Sequence, residues 1–228
     1  QSSPRLQSVL LRMPSSLLAG LSILMVGDSH LTTSNYLIAS LHENLVRQGA
    51  SVHSLGVCGA NAADWLVATK GTCGGAERKN GGKINILGPS ASTVPIKTLI
   101  GQDKPDLVLV IMGDTMAGYK NPDLPKSWIW QQVTGLTKEI ASTKTACVWV
   151  GPAFAPEGGR YGKTFARVQQ MSSGLATSVA PCAYIDSLKF TTAATAWPTT
   201  DGQHYQPGGY RQWSDAIYKA LIELPVVK

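Results

Sequence analysis

The amino-acid sequence predicts an α/β fold, a three-layer α/β/α sandwich built around a five-stranded parallel sheet. The apolar run at 23–26, Ile-Leu-Met-Val, lacks the polar alternation of a half-exposed strand, as is typical of a strand buried on both faces, and it is the first of five short runs predicted as strands. Helical patterns separate these runs, and this alternation favours parallel strands joined by right-handed crossovers. The 228 residues suit one such domain with a sizeable core. The predicted strands are residues 23–26, 51–55, 107–112, 146–150 and 183–186.

The helices are predicted from apolar side chains at helical spacing and from Gly and Pro at their boundaries. In the helix over residues 125–142, Trp128 is expected on the core side and Trp130 on the exposed side. An exposed Trp130 would be a stacking platform for a sugar, and the alternative is that it packs in the core or under a lid. The predicted helices are residues 33–48, 60–70, 95–100, 125–142, 163–179 and 207–221.

Two segments fall outside this regular pattern. Residues 1–20 form a polar N-terminal extension with short helical pieces at 8–11 and 17–18. Residues 71–94 form an inserted loop, rich in Gly and Ser, with one small strand at 83–87. This inserted loop either carries substrate contacts or is a tolerated surface excursion.

Composition and charge exclude several classes of protein. The sequence is 43% hydrophobic and 15% charged, which is not the composition of a disordered or fibrous chain. It contains no apolar run of membrane-spanning length and no recognisable signal peptide, and its start at Gln1 fits a mature protein or an excised domain whose leader held a signal or an anchor. The net charge of +6 is scattered, so nucleic acid is not an expected partner. This charge suits an anionic cell-wall polymer, acidic lipid head groups or simply a solvated basic surface.

The four cysteines form an even set without a C-x-x-C motif or zinc-ligand spacing. We predict two disulfides, one between Cys58 and Cys73 and one between Cys147 and Cys182. The second pair opens two neighbouring predicted strands, whose matching ends lie close together. Disulfides indicate an oxidising compartment. The alternative is four buried thiols.

The residues that could carry chemistry lie near the two ends of the chain. Ser29 follows the first predicted strand directly, and ligands bind at the carboxyl edge of an open α/β sheet. A nucleophilic serine needs a base, and the base needs a partner that orients it. His204 and Asp201 stand three residues apart in one segment and would supply both. The alternative is that Asp28 and Ser29 only cap the following helix.

Three sequence blocks resemble those of the SGNH (GDSL-like) hydrolase superfamily. Residues 27–30, Gly-Asp-Ser-His, resemble its first block, and residues 201–204, Asp-Gly-Gln-His, resemble its D-x-x-H block. Residues 55–61 are similar to the second block, with Gly59 at the position of the oxyanion-hole glycine. The resemblance implies a flavodoxin-like fold and a single SGNH-like catalytic domain over residues 1–228. The catalytic residues that it implies are Ser29 as nucleophile, His204 as base and Asp201 as the partner of the base.

The third block departs from the family pattern. The family usually has G-x-N-D, and the Asn side chain donates to the oxyanion, whereas residues 113–116 here are Gly-Asp-Thr-Met. Thr115 stands at the Asn position, and its hydroxyl has a shorter reach than an amide. The expected oxyanion hole therefore combines the N–H groups of Ser29 and Gly59 with Thr115 as a third donor.

Such departures occur in the SGNH-like O-acetyltransferases and esterases that act on bacterial polysaccharides. The resemblance thus implies acetyl transfer to peptidoglycan or exopolysaccharide through an acetyl-serine intermediate, in the periplasm or elsewhere outside the cytoplasm. The implied partners are a glycan acceptor, an acetyl donor and a membrane protein that exports acetyl groups. No cofactor or metal site is expected. The alternatives are a carbohydrate O-acetylesterase and a catalytically silent glycan-binding domain of the same fold.

Overall fold

The computed structural model describes residues 17–228, which form a single sheet with helices on both faces. Within these residues the sheet has seven strands in the order β4-β3-β2-β1-β5-β6-β7. The strands are β1 Ser22–Gly27, β2 Ser51–Val57, β3 Gly75–Lys79, β4 Asn85–Ile86, β5 Leu107–Ile111, β6 Ala146–Val150 and β7 Ala183–Ile185. The α-helices are α1 Leu37–Arg47, α2 Ile96–Asp103, α3 Lys126–Ser142, α4 Phe165–Ser178 and α5 Pro207–Ile222.

Five of the strands are parallel, as the sequence predicts. Counted along the chain, these parallel strands stand in the order 2-1-3-4-5, which is that of a flavodoxin-like doubly wound sheet. The predicted fold class is confirmed. None of the helices described here has the length and apolarity needed to cross a membrane.

The central strands bury side chains on both faces, which explains why their sequences do not alternate. Met25 of β1 and Leu41 of α1 are fully buried in the same core layer, where they lie with the buried face of α5. The next residue, Val26, lies in the opposite layer with Leu136 of α3. The sheet therefore separates two apolar cores and is held rigidly between them.

The predicted count of five strands is wrong for this sheet, because the inserted loop over residues 71–94 adds two antiparallel strands to its edge. β3 pairs with β2 along its whole length, from Gly75 opposite Val57 to Lys79 opposite His53. The charged side chains of β3 find partners on neighbouring elements: Arg78 binds Glu43, and Glu77 accepts from His53. β4, predicted over 83–87, is only two residues long.

Other predictions on local structure need correction. The helix predicted over 60–70 is a single 3₁₀ turn at Ala62–Trp65, and α2 continues to Asp103. Trp128 is 38% exposed, and its neighbour Ile129 takes the buried position on α3 instead. Trp130 is 54% exposed, as expected.

The N-terminal extension is only partly described. The helical piece predicted at 8–11 lies outside the described residues. At 17–18 the chain forms a turn rather than a helix, and Leu18 is buried against the sheet while Leu17 is exposed.

Both predicted disulfides are present in the structure. Cys147 in β6 and Cys182 just before β7 have Cα atoms 4.7 Å apart, because the two strands are neighbours in the sheet. Cys58 and Cys73 follow β2 and precede β3, with Cα atoms 5.1 Å apart. Four free thiols, the alternative from sequence, are excluded in this structure.

We expect removal of the Cys147–Cys182 bond to destabilise the protein without affecting its chemistry. The bond closes a segment of 35 residues, for which the loss of loop-closure entropy contributes about 4 kcal/mol. The double variant Cys147→Ala/Cys182→Ala should therefore melt roughly 8–15 °C lower in calorimetry. Its residual activity below the melting point should match that of the parent. An unchanged melting temperature would show that the bond does not constrain the unfolded chain.

Candidate active site

The candidate catalytic residues meet at the carboxyl edge of the sheet. Ser29 begins a 3₁₀ turn, Ser29–Leu31, directly after β1. Gly27, the last residue of β1, has no room for a side chain, since a Cβ would lie 2.5 Å from the carbonyl oxygen of Ile111. This close approach of β1 and β5 fixes the point from which the Ser29 turn departs.

Ser29, His204 and Asp201 form a hydrogen-bonded relay. The Ser29 hydroxyl donates to His204 Nε2 over 2.6 Å, although the two residues are 175 positions apart. His204 Nδ1–H donates to Asp201 Oδ2, also over 2.6 Å. The other oxygen of Asp201 accepts from the backbone N–H groups of Gln203 and His204. The carboxylate is thus held in place by the loop that carries the imidazole.

The shape of this loop depends on Gly202. Its φ of +88° lies in the left-handed region, and a Cβ would stand 2.6 Å from the Cα of Gly159. The loop is closed by a bridge between Thr199 and Tyr205. Gly202 therefore allows Asp201 and His204 to face the same side of a tight turn.

Aromatic rings hold the imidazole of His204. Tyr36 stacks on it with ring centroids 5.6 Å apart, and Tyr161 meets it edge-on at 5.7 Å. Burial lowers the pKa of His204 below its ordinary value, and the nearby His30 lowers it further, against the opposing effect of Asp201. Burial alone would raise the pKa of Asp201, but hydrogen bonds from His204 and Gln203 bring it below its ordinary value. The relay is therefore poised as neutral imidazole beside a carboxylate, ready to accept a proton.

A buried polar cluster lies behind the relay. Asp114 accepts from His30 Nε2–H at 2.8 Å and from the Tyr119 hydroxyl, and the Lys163 ammonium lies 3.0 Å away as its ion-pair partner. Because a carboxylate only accepts, His30 Nε2 carries a proton, and His30 Nδ1 lies 2.8 Å from the Tyr210 hydroxyl. Burial would raise the pKa of Asp114, but Lys163 and His30 hold it well below its usual range. This cluster joins the turn after β1, the turn after β5 and the segment before α4.

Asp28 caps the turn that carries Ser29. Its Oδ1 accepts from the His30 N–H at 3.1 Å, whereas Oδ2 is buried without a hydrogen-bond partner among the described residues. Burial raises the pKa of Asp28 to about 6, and the nearby Asp114 contributes to the rise against the effect of His30. Capping by Asp28, the alternative from sequence, is therefore present together with the Ser29–His204 bond.

Two backbone N–H groups of the expected oxyanion hole make no hydrogen bond within the described residues. In the part of the chain that the structure describes, no carbonyl or side chain accepts from the N–H of Ser29 or of Gly59. Gly59 has a φ of +80° and adjoins the Cys58–Cys73 disulfide, which fixes its loop. Both residues line a cleft of about 480 Å³.

Thr115 does not offer a free donor. Its hydroxyl donates to the carbonyl of Ala60 over 2.9 Å, so the expectation of a third oxyanion contact from Thr115 is wrong in this structure. The residue after Ala60 is Asn61, which also lines the cleft. Asp64 accepts from the Asn61 N–H at 2.8 Å, whereas the side-chain oxygen of Asn61 is buried without a hydrogen-bond partner among the described residues.

Sequence reasoning missed several residues of the site. Tyr36, the residue directly before α1, stacks on His204, and its apolar helical spacing in the sequence does not predict this contact. Asn61 lies within the block that resembles the family motif, so its amide was a visible candidate. Tyr161 and Lys163 come from a segment without any motif, and only the tertiary structure brings them to the site.

Solved structures of related fold share this architecture. TesA superposes with a TM-score of 0.61 at 16% identity, over 88% of this chain and 98% of that one. A catalytic mutant of Axe2, an acetylxylan esterase from Geobacillus stearothermophilus, gives 0.57 at 15% identity over 92% and 97% of the two chains. A peptidoglycan O-acetylesterase gives 0.55 at 13% identity over 92% of each chain. No model of a known protein family matches the sequence.

The doubly wound sheet, with the serine–histidine–aspartate relay at its carboxyl edge, places the chain in the fold class of the SGNH hydrolases. Within that class, the chain belongs to the family of Protein BcsX from Komagataeibacter xylinus. The two sequences are 43% identical over 210 residues, which are 91% of this chain and 79% of that protein.

The buried Asp28 predicts a stability difference that depends on pH. Its folded-state pKa of about 6 lies above the ordinary 3.8, so its contribution favours folding at low pH and is lost as the pH rises through 6. Asp28→Asn keeps the capping oxygen and cannot ionise. We expect this variant to be roughly 2–3 kcal/mol more stable than wild type near pH 8.

The same variant should show a gain of less than about 1 kcal/mol at pH 4, where Asp28 is neutral in the folded protein. Urea denaturation at the two pH values measures both differences. A variant that is less stable than wild type near pH 8 would show that the ionised carboxylate is favourable in its site.

Proposed function

We propose that this protein transfers acetyl groups through Ser29 on a polysaccharide outside the cytoplasm, as an O-acetyltransferase of exopolysaccharide or peptidoglycan. The observation that carries the proposal is the relay of Ser29, His204 and Asp201, whose serine and histidine line an open cleft. A silent binding domain would have no use for a short, buried hydrogen bond between a serine and an oriented imidazole.

The first half of the reaction acylates Ser29. His204 Nε2 takes the hydroxyl proton while Oγ bonds to the acetyl carbonyl carbon, and the carbonyl oxygen becomes an oxyanion. The imidazolium is stabilised by Asp201 and returns the proton to the departing alcohol. Acetyl-Ser29 remains. In the second half, His204 deprotonates a sugar hydroxyl or a water, which attacks the acetyl group and frees Ser29.

The oxyanion hole is proposed to contain the N–H groups of Ser29 and Gly59, which have no other acceptor among the described residues. As third donor we assign the side-chain amide of Asn61 rather than Thr115, whose hydroxyl is engaged. The side-chain oxygen of Asn61 is buried, so its NH₂ is the part left for the cleft that Asn61 lines. This arrangement would compensate for the missing family Asn.

Several observations support a glycan substrate and the compartment. The structural neighbours include an acetylxylan esterase and a peptidoglycan O-acetylesterase, which act on acetylated glycans. Two disulfides are typical of proteins that fold in an oxidising compartment such as the periplasm. An acetyl donor delivered there would come from a membrane protein that exports acetyl groups. Hydrolysis by the same relay, giving a carbohydrate acetylesterase, is the second candidate, because the cleft is open to water.

Replacement of Ser29 tests the nucleophile. Ser29→Ala should abolish turnover of p-nitrophenyl acetate, since no other hydroxyl accompanies His204 in the relay. Thr32→Val, which changes a hydroxyl of the same turn that bonds a backbone carbonyl, is the matched control and should retain most activity. Turnover by Ser29→Ala at the wild-type rate would remove Ser29 from the mechanism.

The direction of acetyl transfer is read from mass spectra of chitooligosaccharides and peptidoglycan fragments incubated with enzyme and p-nitrophenyl acetate as donor. A gain of acetyl on the fragment, absent with Ser29→Ala, is the expected result. Free acetate without acetylated fragment would instead establish the esterase.

The third oxyanion donor is tested by comparing Asn61→Ala with Thr115→Val. Loss of one oxyanion donor typically lowers kcat by about 10²–10³, so Asn61→Ala should fall in that range with little change in KM. Thr115→Val should lose far less, because its hydroxyl serves the Ala60 carbonyl. Melting temperatures of both variants control for a loss of stability. The opposite ranking of the two kcat values would restore Thr115 as the donor.

A further inference from the structure

We infer that the groove between α3 and α4 is a second binding site, which holds a neutral stretch of polysaccharide outside the catalytic cleft. This inference rests on the proposed function for the kind of polymer, but its geometry is independent of the relay. The groove has a volume of about 960 Å³, twice the about 480 Å³ of the cleft that contains Ser29.

One continuous face of α4 forms a wall of the groove. Its lining residues recur every three or four positions from Ala166 to Ser178, which is the spacing of one helix face. Gly174 lies on this face, and nothing stands within 4 Å of the place where its Cβ would be. The absence of a side chain there leaves the groove open at its middle.

The groove is uncharged apart from one end. Among the lining residues that the structure describes, Lys126 is the charged one, and the others that are polar are amides and hydroxyls such as Gln169, Gln170 and Thr177. A solvent-exposed helix face ordinarily carries charged side chains. Amides and hydroxyls both donate and accept hydrogen bonds, so they match the hydroxyl groups of a neutral sugar better than a phosphate or carboxylate.

Trp130 of α3 supplies the apolar part of the groove. Its side chain lines the groove and is 54% exposed, which is a large exposed fraction for a tryptophan. The Lys138 ammonium, two turns further along α3, lies 5.9 Å from its ring centroid. A flat indole beside amide side chains offers a sugar ring both an apolar face for its C–H groups and partners for its hydroxyls.

The groove lies next to the catalytic cleft along the chain. Lys120 and Asn121 line the cleft, and Leu124 and Lys126 line the groove. Three peptide units separate Asn121 from Leu124, so their Cα atoms are at most about 11 Å apart. A polysaccharide chain that occupies one site can therefore extend into the other.

Arg167 fixes this connection. It is the charged residue of α4, and its guanidinium donates to the carbonyls of Ala117, Gly118, Asn121 and Pro122. The segment between cleft and groove is thereby fastened to the helix that forms the groove wall. We expect the two sites to keep a constant relative position, as is needed to present a bound polymer to Ser29.

Binding is measured with Ser29→Ala in native gels that contain xylan or hydroxyethylcellulose, so that turnover plays no part. The Ser29→Ala protein should be retarded by these neutral glycans, and adding Trp130→Ala should weaken the retardation by about tenfold in apparent Kd, which corresponds to ~1.4 kcal/mol. Trp128→Ala is the matched control, since Trp128 is exposed on the same helix but does not line the groove. Gels that contain alginate, an anionic polysaccharide, serve as the charge control, because they measure the retardation that the net charge of +6 produces by itself.

A second variant adds a side chain to the groove, whereas Trp130→Ala removes one. Gly174→Gln places a side chain in open space and favours the helix, so weaker glycan binding by this variant cannot be attributed to unfolding. In the active protein, Trp130→Ala and Gly174→Gln should raise KM for acetylated xylan about tenfold and leave p-nitrophenyl acetate turnover unchanged.

Equal retardation of the Trp130 and Trp128 variants, or no retardation of Ser29→Ala by either neutral glycan, would overturn the groove as a binding site. These outcomes differ from failure of the proposed function. If p-nitrophenyl acetate turnover persists in Ser29→Ala, the catalytic proposal fails, while the gel result still decides the groove.

Discussion

The hydrogen bond between Ser29 and His204 is the interaction on which the rest of the site depends. It joins two segments that are 175 residues apart, so its length is set by the whole sheet rather than by either loop. β1 presents Ser29 at the carboxyl edge, and the loop before α5 brings His204 over the same edge. The close-packed cores on both faces of the sheet hold the end of β1 and the loop before α5 in a fixed relative position.

Behind that bond lies a polar cluster whose burial is costly unless every member is paired. Asp114 receives hydrogen bonds or charge from His30, Lys163 and Tyr119, which come from three separate segments. Breaking such a buried set by removing one partner leaves an uncompensated charge. The cluster therefore ties the turn that carries Ser29 to the turn that carries Thr115, and it places a histidine 5.3 Å from the catalytic imidazole ring. This proximity helps to keep His204 neutral and able to accept a proton.

A structural feature could be predicted from sequence where its residue types differ clearly from those of the neighbouring positions. The buried strands, the Ser29 and His204 segments and the cysteine pairs carry local signals, because apolar runs and rare residue types stand out. β3 does not, since Glu77 and Arg78 resemble solvated loop residues until their partners His53 and Glu43 are seen. Likewise, no sequence pattern shows that the Thr115 hydroxyl is already engaged by a carbonyl. Contacts between distant segments decided both cases.

In the proposed reaction, the balance between transfer and hydrolysis would depend on how acetyl-Ser29 meets its acceptor. The cleft is open, so it does not exclude water by its shape, and water is always in large excess over any sugar hydroxyl. A transferase with such a cleft must hold the acceptor by contacts remote from the reacting atoms, since binding energy there can pay for positioning at Ser29. The proposed binding groove along α4 would supply such contacts, and Arg167 fixes its position relative to the cleft. If both proposals hold, polymer length rather than the chemistry of the relay would determine whether the acetyl group reaches a sugar or water.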